Sequence, residues 1–276
     1  MEEGETIGDA LFFGDDLMFG TLNEGQDRLK TPWPEYLRKR LVDDAGLRLL
    51  VSGLPGRTSR WDDEELAKLM GEWAKPDDFN GVRHFGTLFS SHTPLWVVIA
   101  LGTNDLKTRI RTTAIESAND DEDFSFRLDL PPGKARKEAE ENGEDEDFEY
   151  QFDADFVAGC VMSVALKAQH MFKGHCHEGN LRVLVVTPPP LRLTPSAIRA
   201  GFDTESVSLS QQLQAAFARK GKEFNLNVIS PITSAEKLAD GVHFTEEQAK
   251  HCAEEVWKIM SMEIPRRTKR VERVDF

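Results

Sequence analysis

Short apolar runs alternate along this chain with longer segments in which apolar residues recur at the spacing of a helix. The short runs predict strands, which we place at residues 7–13, 47–51, 95–101, 181–187 and 224–229. The third run, LWVVIAL, is apolar throughout instead of alternating with polar residues. That pattern is typical of a parallel strand covered on both faces.

The amphipathic segments between the runs predict helices, which we place at residues 34–42, 62–73, 156–170, 205–219 and 245–262. The last helix has the clearest start, because Thr245 and Gln248 form a capping-box pattern. Strands that alternate with helices imply crossover connections. We therefore predict an α/β fold, a three-layer α/β/α sandwich with a central five-stranded parallel sheet. The length of 276 residues suits one domain, predicted over residues 1–264.

The net charge of −14 is concentrated in one segment of the chain. Residues 116–155 hold 16 acidic and 4 basic side chains, which leaves −2 for the rest. Such a composition buries too little apolar surface to offset chain entropy, so we expect an acidic, mobile insertion in the domain. A basic partner for this insertion is the alternative to a merely solvated loop. Residues 265–276 form a basic tail, which is expected to be solvated.

Composition also argues against several functional classes. The acidic balance argues against nonspecific nucleic-acid binding, which needs a basic surface. No apolar run approaches the roughly 20 residues of a membrane span. The amino terminus is acidic and lacks the features of a secretory signal, so we expect a cytoplasmic protein. Three widely spaced cysteines do not make a disulfide framework.

Four short motifs lie at or near the ends of predicted elements. FGDDL at 13–17, GLPGRT at 53–58 and GTNDLK at 102–107 follow the first three strands, and DGVH at 240–243 precedes the last helix. Loops that leave the carboxyl ends of parallel strands converge on one crevice, where ligands bind. Each motif alone is weak, but their order and placement together indicate one functional site.

This order of motifs resembles the SGNH, or GDSL-type, hydrolases, and the wording is similar to that of their bacterial arylesterase-like branch. The similarity extends to SRWDD after the second motif, SHTPL before the third strand and TPPP after the fourth strand. It covers most of the chain apart from the acidic insertion and the basic tail. The resemblance implies a flavodoxin-like SGNH fold and hydrolysis of carboxylic esters, such as short-chain or aryl esters.

The resemblance also implies a role for each site residue. Gly56, through its backbone N–H, and Asn104, through its side-chain amide, would donate to an oxyanion, and the N–H of residue 16 would complete the hole. His243 would be the general base, and Asp240 would orient its imidazole. The family has its nucleophilic serine at the position of Asp16. The neighbouring Asp15 is expected to fix the turn.

An aspartate at position 16 changes the chemistry that the other site residues could support. A carboxylate is already ionised at neutral pH, so it has no proton to pass to a histidine, and it places charge where the oxyanion would form. One of its oxygens could occupy the oxyanion hole. We therefore expect the serine acyl-enzyme route to be lost.

Three alternatives remain open at this stage. The crevice could be a non-catalytic site that binds an acyl or ester-like ligand or a protein partner, with Asp16 paired to a protonated His243. Water activated by His243 could still hydrolyse esters. Asp16 could itself be a nucleophile toward an alkyl carbon, by analogy with haloalkane dehalogenases, which have a different fold.

The remaining expectations concern ligands and assembly. We expect a small-molecule ester or acyl ligand and no cofactor. His170, His175, Cys176 and His177 cluster in sequence but lack a second ligand pair, so we predict a loop there and no metal site. The resemblance implies a homo-oligomer.

Overall fold

The structure is a computed structural model that describes residues 8–22, 27–92, 94–120, 152–174 and 181–264. Most of the predicted acidic insertion, the basic tail and the cluster at 175–177 lie outside these residues. The fold that follows is that of the described part of the chain.

Five strands form one parallel sheet, as the sequence predicted. They are β1 (Gly8–Gly14), β2 (Leu47–Gly53), β3 (Trp96–Ala100), β4 (Arg182–Val186) and β5 (Asn227–Ile229). Their order across the sheet is β2-β1-β3-β4-β5, and every neighbouring pair is parallel. A separate antiparallel ribbon pairs Thr21–Leu22 with Asp27–Arg28.

Helices connect the strands. The α-helices are α1 (Asp16–Phe19), α2 (Arg38–Arg40), α3 (Glu64–Met70), α4 (Gly81–His92), α5 (Thr108–Asp120), α6 (Ala154–Gly174), α7 (Pro195–Arg199), α8 (Thr204–Phe224) and α9 (Glu246–Glu263). Short 3-10 helices span Trp33–Leu37, Pro76–Phe79 and Asn104–Leu106, and a π-helix spans Leu41–Ala45.

Alternate side chains of each strand enter different hydrophobic clusters on the two faces of the sheet. Leu11 and Phe13 of β1 pack in one cluster with residues of α4, α6 and α8. Ala10 and Phe12 pack in the other cluster with residues of α9 and of the 33–45 segment. This arrangement is the predicted three-layer sandwich, and it explains why the third apolar run has no polar alternation.

The helices differ from the prediction in several places. The segment predicted as one helix at 34–42 is divided into 3-10, α and π turns. The short helices α1 and α7 and the longer helices α4 and α5 were not predicted. The capping box of α9 is confirmed, since Thr245 and Gln248 exchange side-chain to backbone hydrogen bonds of 3.0 and 3.3 Å. Within the described ranges, no helix is long and apolar enough to cross a membrane.

The first three strands end at the same level of the sheet. Gly14 at the end of β1 pairs with Gly53 of β2 and with Ala100 of β3. The chain is crowded here, since a Cβ atom on Gly53 would lie 2.6 Å from the backbone nitrogen of Phe19. The three loops that carry the first three motifs therefore leave the sheet side by side.

Candidate active site

The turn after β1 presents Asp16 at the start of a short helix. Asp15 caps α1, because its Oδ1 accepts a 3.0 Å hydrogen bond from the backbone N–H of Leu17. Asp15 is almost fully buried, whereas 14% of the Asp16 side chain is exposed. The expectation that Asp15 shapes the turn agrees with this geometry, and Asp16 is left facing the crevice.

Gly56 and Asn104 both donate to the same carboxylate oxygen. The Gly56 N–H lies 2.9 Å from Asp16 Oδ2, and Asn104 Nδ2 lies 2.6 Å from that atom. Gly56 has a φ of +82°, and a Cβ atom there would lie 2.1 Å from Leu66 Cδ2, so the position requires glycine. Two of the three donors that the sequence suggested for an oxyanion thus meet at Oδ2.

The loops after β2 and β3 are tied together behind these donors. Asn104 Nδ2 also donates to the Arg57 carbonyl oxygen, at 3.1 Å. The buried carboxylate of Asp105 accepts hydrogen bonds from the Ser59 backbone N–H at 3.0 Å and from its hydroxyl at 2.5 Å. Because these bonds join the two loops, they fix the separation of the two donors.

The loop before α9 brings His243 and Asp240 to the crevice. His243 Nδ1 lies 2.7 Å from Asp240 Oδ2, while Asp240 Oδ1 accepts the His243 N–H at 2.9 Å. The other ring nitrogen, Nε2, lies 3.8 Å from Asp16 Oδ1. The structure therefore brings together all five residues named from the sequence: Asp16, Gly56, Asn104, Asp240 and His243.

Comparison with known families identifies the family of the chain. A family model described as GDSL-like lipase/acylhydrolase matches residues 5–256. The chain belongs to this GDSL family. A comparison with curated proteins found no match.

Solved structures of similar fold include esterases and a lipase. A carbohydrate acetylesterase family member from Sinorhizobium meliloti has a TM-score of 0.65 at 22% identity, covering 94% of this chain and 99% of that one. The aryl esterase of M. smegmatis has a TM-score of 0.64 at 20% identity, covering 94% and 100%. A lipase/acylhydrolase from Enterococcus faecalis has a TM-score of 0.52 at 14% identity, covering 95% and 100%. At these identities the likeness is one of fold.

The charged side chains of this GDSL-family site shift the pKa values of one another. Burial by itself would lower the pKa of His243, but the carboxylates of Asp16 and Asp240 raise it to about 9. Burial acts to raise the pKa of both aspartates, yet contact with His243 holds each below its ordinary range. Lys107 and Asn104 contribute to the lowering at Asp16. At neutral pH the row Asp16, His243, Asp240 therefore carries alternating charges.

Asp15 behaves differently from Asp16. Burial, followed by the charge of Asp16, raises the pKa of Asp15 well above its ordinary range. Its Oδ2 is buried and has no hydrogen-bond partner among the residues that the structure describes, which agrees with a neutral carboxyl group. Of the two adjacent aspartates, Asp16 holds the charge.

Two basic residues near the site, Arg57 and Lys107, were not assigned a role from the sequence. Arg57 is buried and donates to the carbonyl oxygens of Gly14 at 2.8 Å and Ser52 at 2.6 Å, which links the ends of β1 and β2. Burial lowers the pKa of Arg57 to about 10. Lys107 is also buried, and its charge acts on Asp16. Both residues lie inside the quoted motifs, so a basic residue within a motif that follows a strand was the available signal.

No metal site emerges from the part of the chain that the structure describes. Among those residues, no group of three or more histidines, cysteines, aspartates or glutamates is arranged to hold a metal ion. Cys160 and Cys252 are free and buried in the core, and burial raises the pKa of each thiol above its ordinary range. Neither thiol is therefore a candidate nucleophile.

Proposed function

We propose that this GDSL-family protein does not hydrolyse esters through an acyl-enzyme at neutral pH, and that its crevice is a ligand-binding site on a hydrolase frame. The observation that supports this most directly is the position of the Asp16 carboxylate. Its Oδ2 accepts both candidate oxyanion donors, at 2.9 and 2.6 Å. An ester carbonyl would have to displace a charged acceptor, and charge-assisted hydrogen bonds are about twice as strong as neutral ones.

The state of His243 supports the same proposal. A general base needs an unprotonated nitrogen, and its best pKa lies near the working pH. With a pKa raised to about 9, His243 holds its proton at neutral pH. Its Nε2 faces a carboxylate at 3.8 Å that has no proton to give. Both halves of the nucleophile–base pair are therefore in the wrong protonation state for acyl transfer.

The test is to restore the serine of the family. We expect native protein and Asp16→Ala to be inert toward p-nitrophenyl acetate at pH 7. Asp16→Ser removes the charge and vacates the hole, so its rate should exceed the native rate by about 100-fold or more. The double variant Asp16→Ser, His243→Ala should lose that gain.

Three results would count against the proposal. Native turnover that His243→Ala abolishes would show a working hydrolase, and a rate that rises only as the pH approaches 9 would point to water activated by His243. A folded Asp16→Ser variant without activity would show that the frame is not a hydrolytic one.

A second candidate function follows from the other oxygen of Asp16. Oδ1 makes neither hole contact and lies toward His243, so it is the oxygen available to attack an alkyl carbon. Attack would form a C–O bond, break the bond to the leaving group and release that group as an anion. The resulting aspartyl ester is uncharged, which removes one of the two negative charges that hold His243 protonated, so the imidazolium can release its proton to solvent. His243 could then take a proton from water that attacks Cγ and return it to the departing alkoxide, which releases an alcohol and regenerates the Asp16 carboxylate.

Mass spectrometry separates this candidate from a binding site. In the His243→Ala variant, 1-bromobutane should leave a butyl ester on Asp16, because the second step is blocked. Asp16→Asn, treated in the same way, is the control and should remain unlabelled. Equal labelling of the two variants, or none in either, would exclude the alkyl reaction for this reagent.

A further inference from the structure

Lys107 is a buried cation beside the site. It follows the 3-10 turn that holds Asn104, and its N–H donates to the Asn104 carbonyl oxygen at 3.2 Å. Only 8% of its surface is exposed. The aliphatic stem packs by Gly201, and the ammonium lies 5.8 Å from the ring centroid of Phe202.

Within the described residues, no salt bridge of 4 Å or less involves this ammonium, and the two charged carboxylates that act on it, Asp16 and Asp63, have other partners. Asp63 holds Arg109 at 2.7 and 3.0 Å. Asp16 holds the donors of the oxyanion hole and faces His243. A buried ammonium without an anionic partner is costly, so such a group is usually paired.

The surrounding charges favour one class of partner. Burial lowers the pKa of Lys107, whereas the negative charges of Asp16 and Asp63 act to raise it and the positive charge of Arg109 opposes them. A dianion such as phosphate would meet the repulsion of Asp16 at close quarters. A monoanion can accept hydrogen bonds from the ammonium with less of that repulsion.

We propose that Lys107 anchors the anionic group of the ligand of this crevice, and that the ligand is a small monocarboxylate. The proposal rests on the proposed function in taking the crevice to be a binding site, and it names the chemistry of what binds there. The ammonium supplies up to three donors to the carboxylate oxygens. The neutral ester or amide of the same acid lacks the charge that Lys107 would pair.

Calorimetric titration with butyrate at constant ionic strength tests the proposal, with butyramide as the neutral control. We expect native protein to bind butyrate and not butyramide. Lys107→Met should weaken butyrate binding by at least about tenfold, since hydrogen bonds to charged groups are the stronger ones, and Lys107→Arg should retain it. Lys258→Met, which removes an exposed ammonium from α9, should bind as native protein does.

A measurement on the native chain covers the case in which Lys107→Met does not fold. The Nζ resonance of Lys107 should shift on titration with butyrate and stay in place with butyramide. The proposal would be overturned by an unchanged affinity of Lys107→Met for butyrate or by equal binding of butyramide and butyrate. A Lys107 Nζ resonance that does not shift with butyrate would also overturn it. The assay needs no turnover, so its failure is separate from a failure of Asp16→Ser to hydrolyse esters.

Discussion

The charge coupling between Asp16 and His243 gives the most direct test of the site. Asp16→Asn keeps the shape of the side chain and removes its charge. Opposite charges 3.8 Å apart attract by about 4 kcal/mol at an effective dielectric constant of about 20. The rise of the His243 pKa from 6.5 to about 9 corresponds to about 3 kcal/mol. Asp240 shares in that rise and burial opposes it, so we expect the variant to lower the pKa by about 2 pH units.

The raised pKa of His243 should also make the free energy of unfolding depend on pH. A group whose folded pKa is raised contributes stability that is complete below its unfolded pKa and is lost as the pH rises through its folded pKa. For His243 that window runs from 6.5 to about 9. Native protein should therefore lose about 3 kcal/mol of unfolding free energy across the window through this group, and Asp16→Asn should lose much less. Asp16 has a lowered pKa, so its own contribution is lost only in acid and does not interfere.

Two measurements check this prediction. Titration of the histidine ring resonances, with His243→Gln for assignment among the seven histidines, gives the pKa directly. Urea denaturation at pH 6.5 and above pH 9 gives the stability, without the screening that guanidinium salts cause. Asp155→Asn removes an equal charge from a surface pair with Arg219 and should not move the His243 titration. A native His243 that titrates near its ordinary value, or an unchanged value in Asp16→Asn, would refute the reasoning.

Two further predictions concern the loop after β2. Gly56→Ala should lower the free energy of unfolding by about 1–3 kcal/mol in chemical denaturation, because alanine is strained at this positive φ and its Cβ meets Leu66; an unchanged midpoint would contradict the geometry. Arg57→Met should cost about 2–4 kcal/mol, because it leaves buried carbonyl oxygens without their charged donor. The matched surface change Arg219→Met should leave the denaturation midpoint unchanged. If Arg219→Met and Arg57→Met lower the free energy of unfolding equally, the hydrogen bonds of the buried Arg57 do not stabilise the fold.

The strands of the sheet could be predicted because each is a compact apolar run, whereas two helices carry a weak signal. α4 contains Gly81 and Gly86, which lower helix propensity. Gly81 is required by packing, since a Cβ atom there would lie 2.7 Å from the Thr58 carbonyl oxygen. α5 begins with several β-branched residues, which also disfavour a helix. Tertiary contacts stabilise both helices, and the local sequence contains no pattern that predicts those contacts.

The candidate site could be predicted as a set of residues but not as a set of contacts. Strand ends and motif order were enough to place Asn104 and His243 in one crevice. That Asp16 Oδ2 takes both donors depends on loop positions that Ser59, Asp105 and Arg57 fix from behind. These partners are far apart in sequence, and their pairing becomes visible only in three dimensions.

The two hydrogen bonds that Gly56 and Asn104 donate to Asp16 also bear on the balance between stability and activity. An enzyme that holds two donors ready for a transient oxyanion leaves them without a protein acceptor between turnovers, and active sites commonly lower stability in this way. In this chain Asp16 satisfies both donors permanently and pairs with His243 as well. Under the proposed function, a change at Asp16 that introduces ester hydrolysis therefore begins with a loss of stability, and stabilising substitutions elsewhere in the sandwich should precede it.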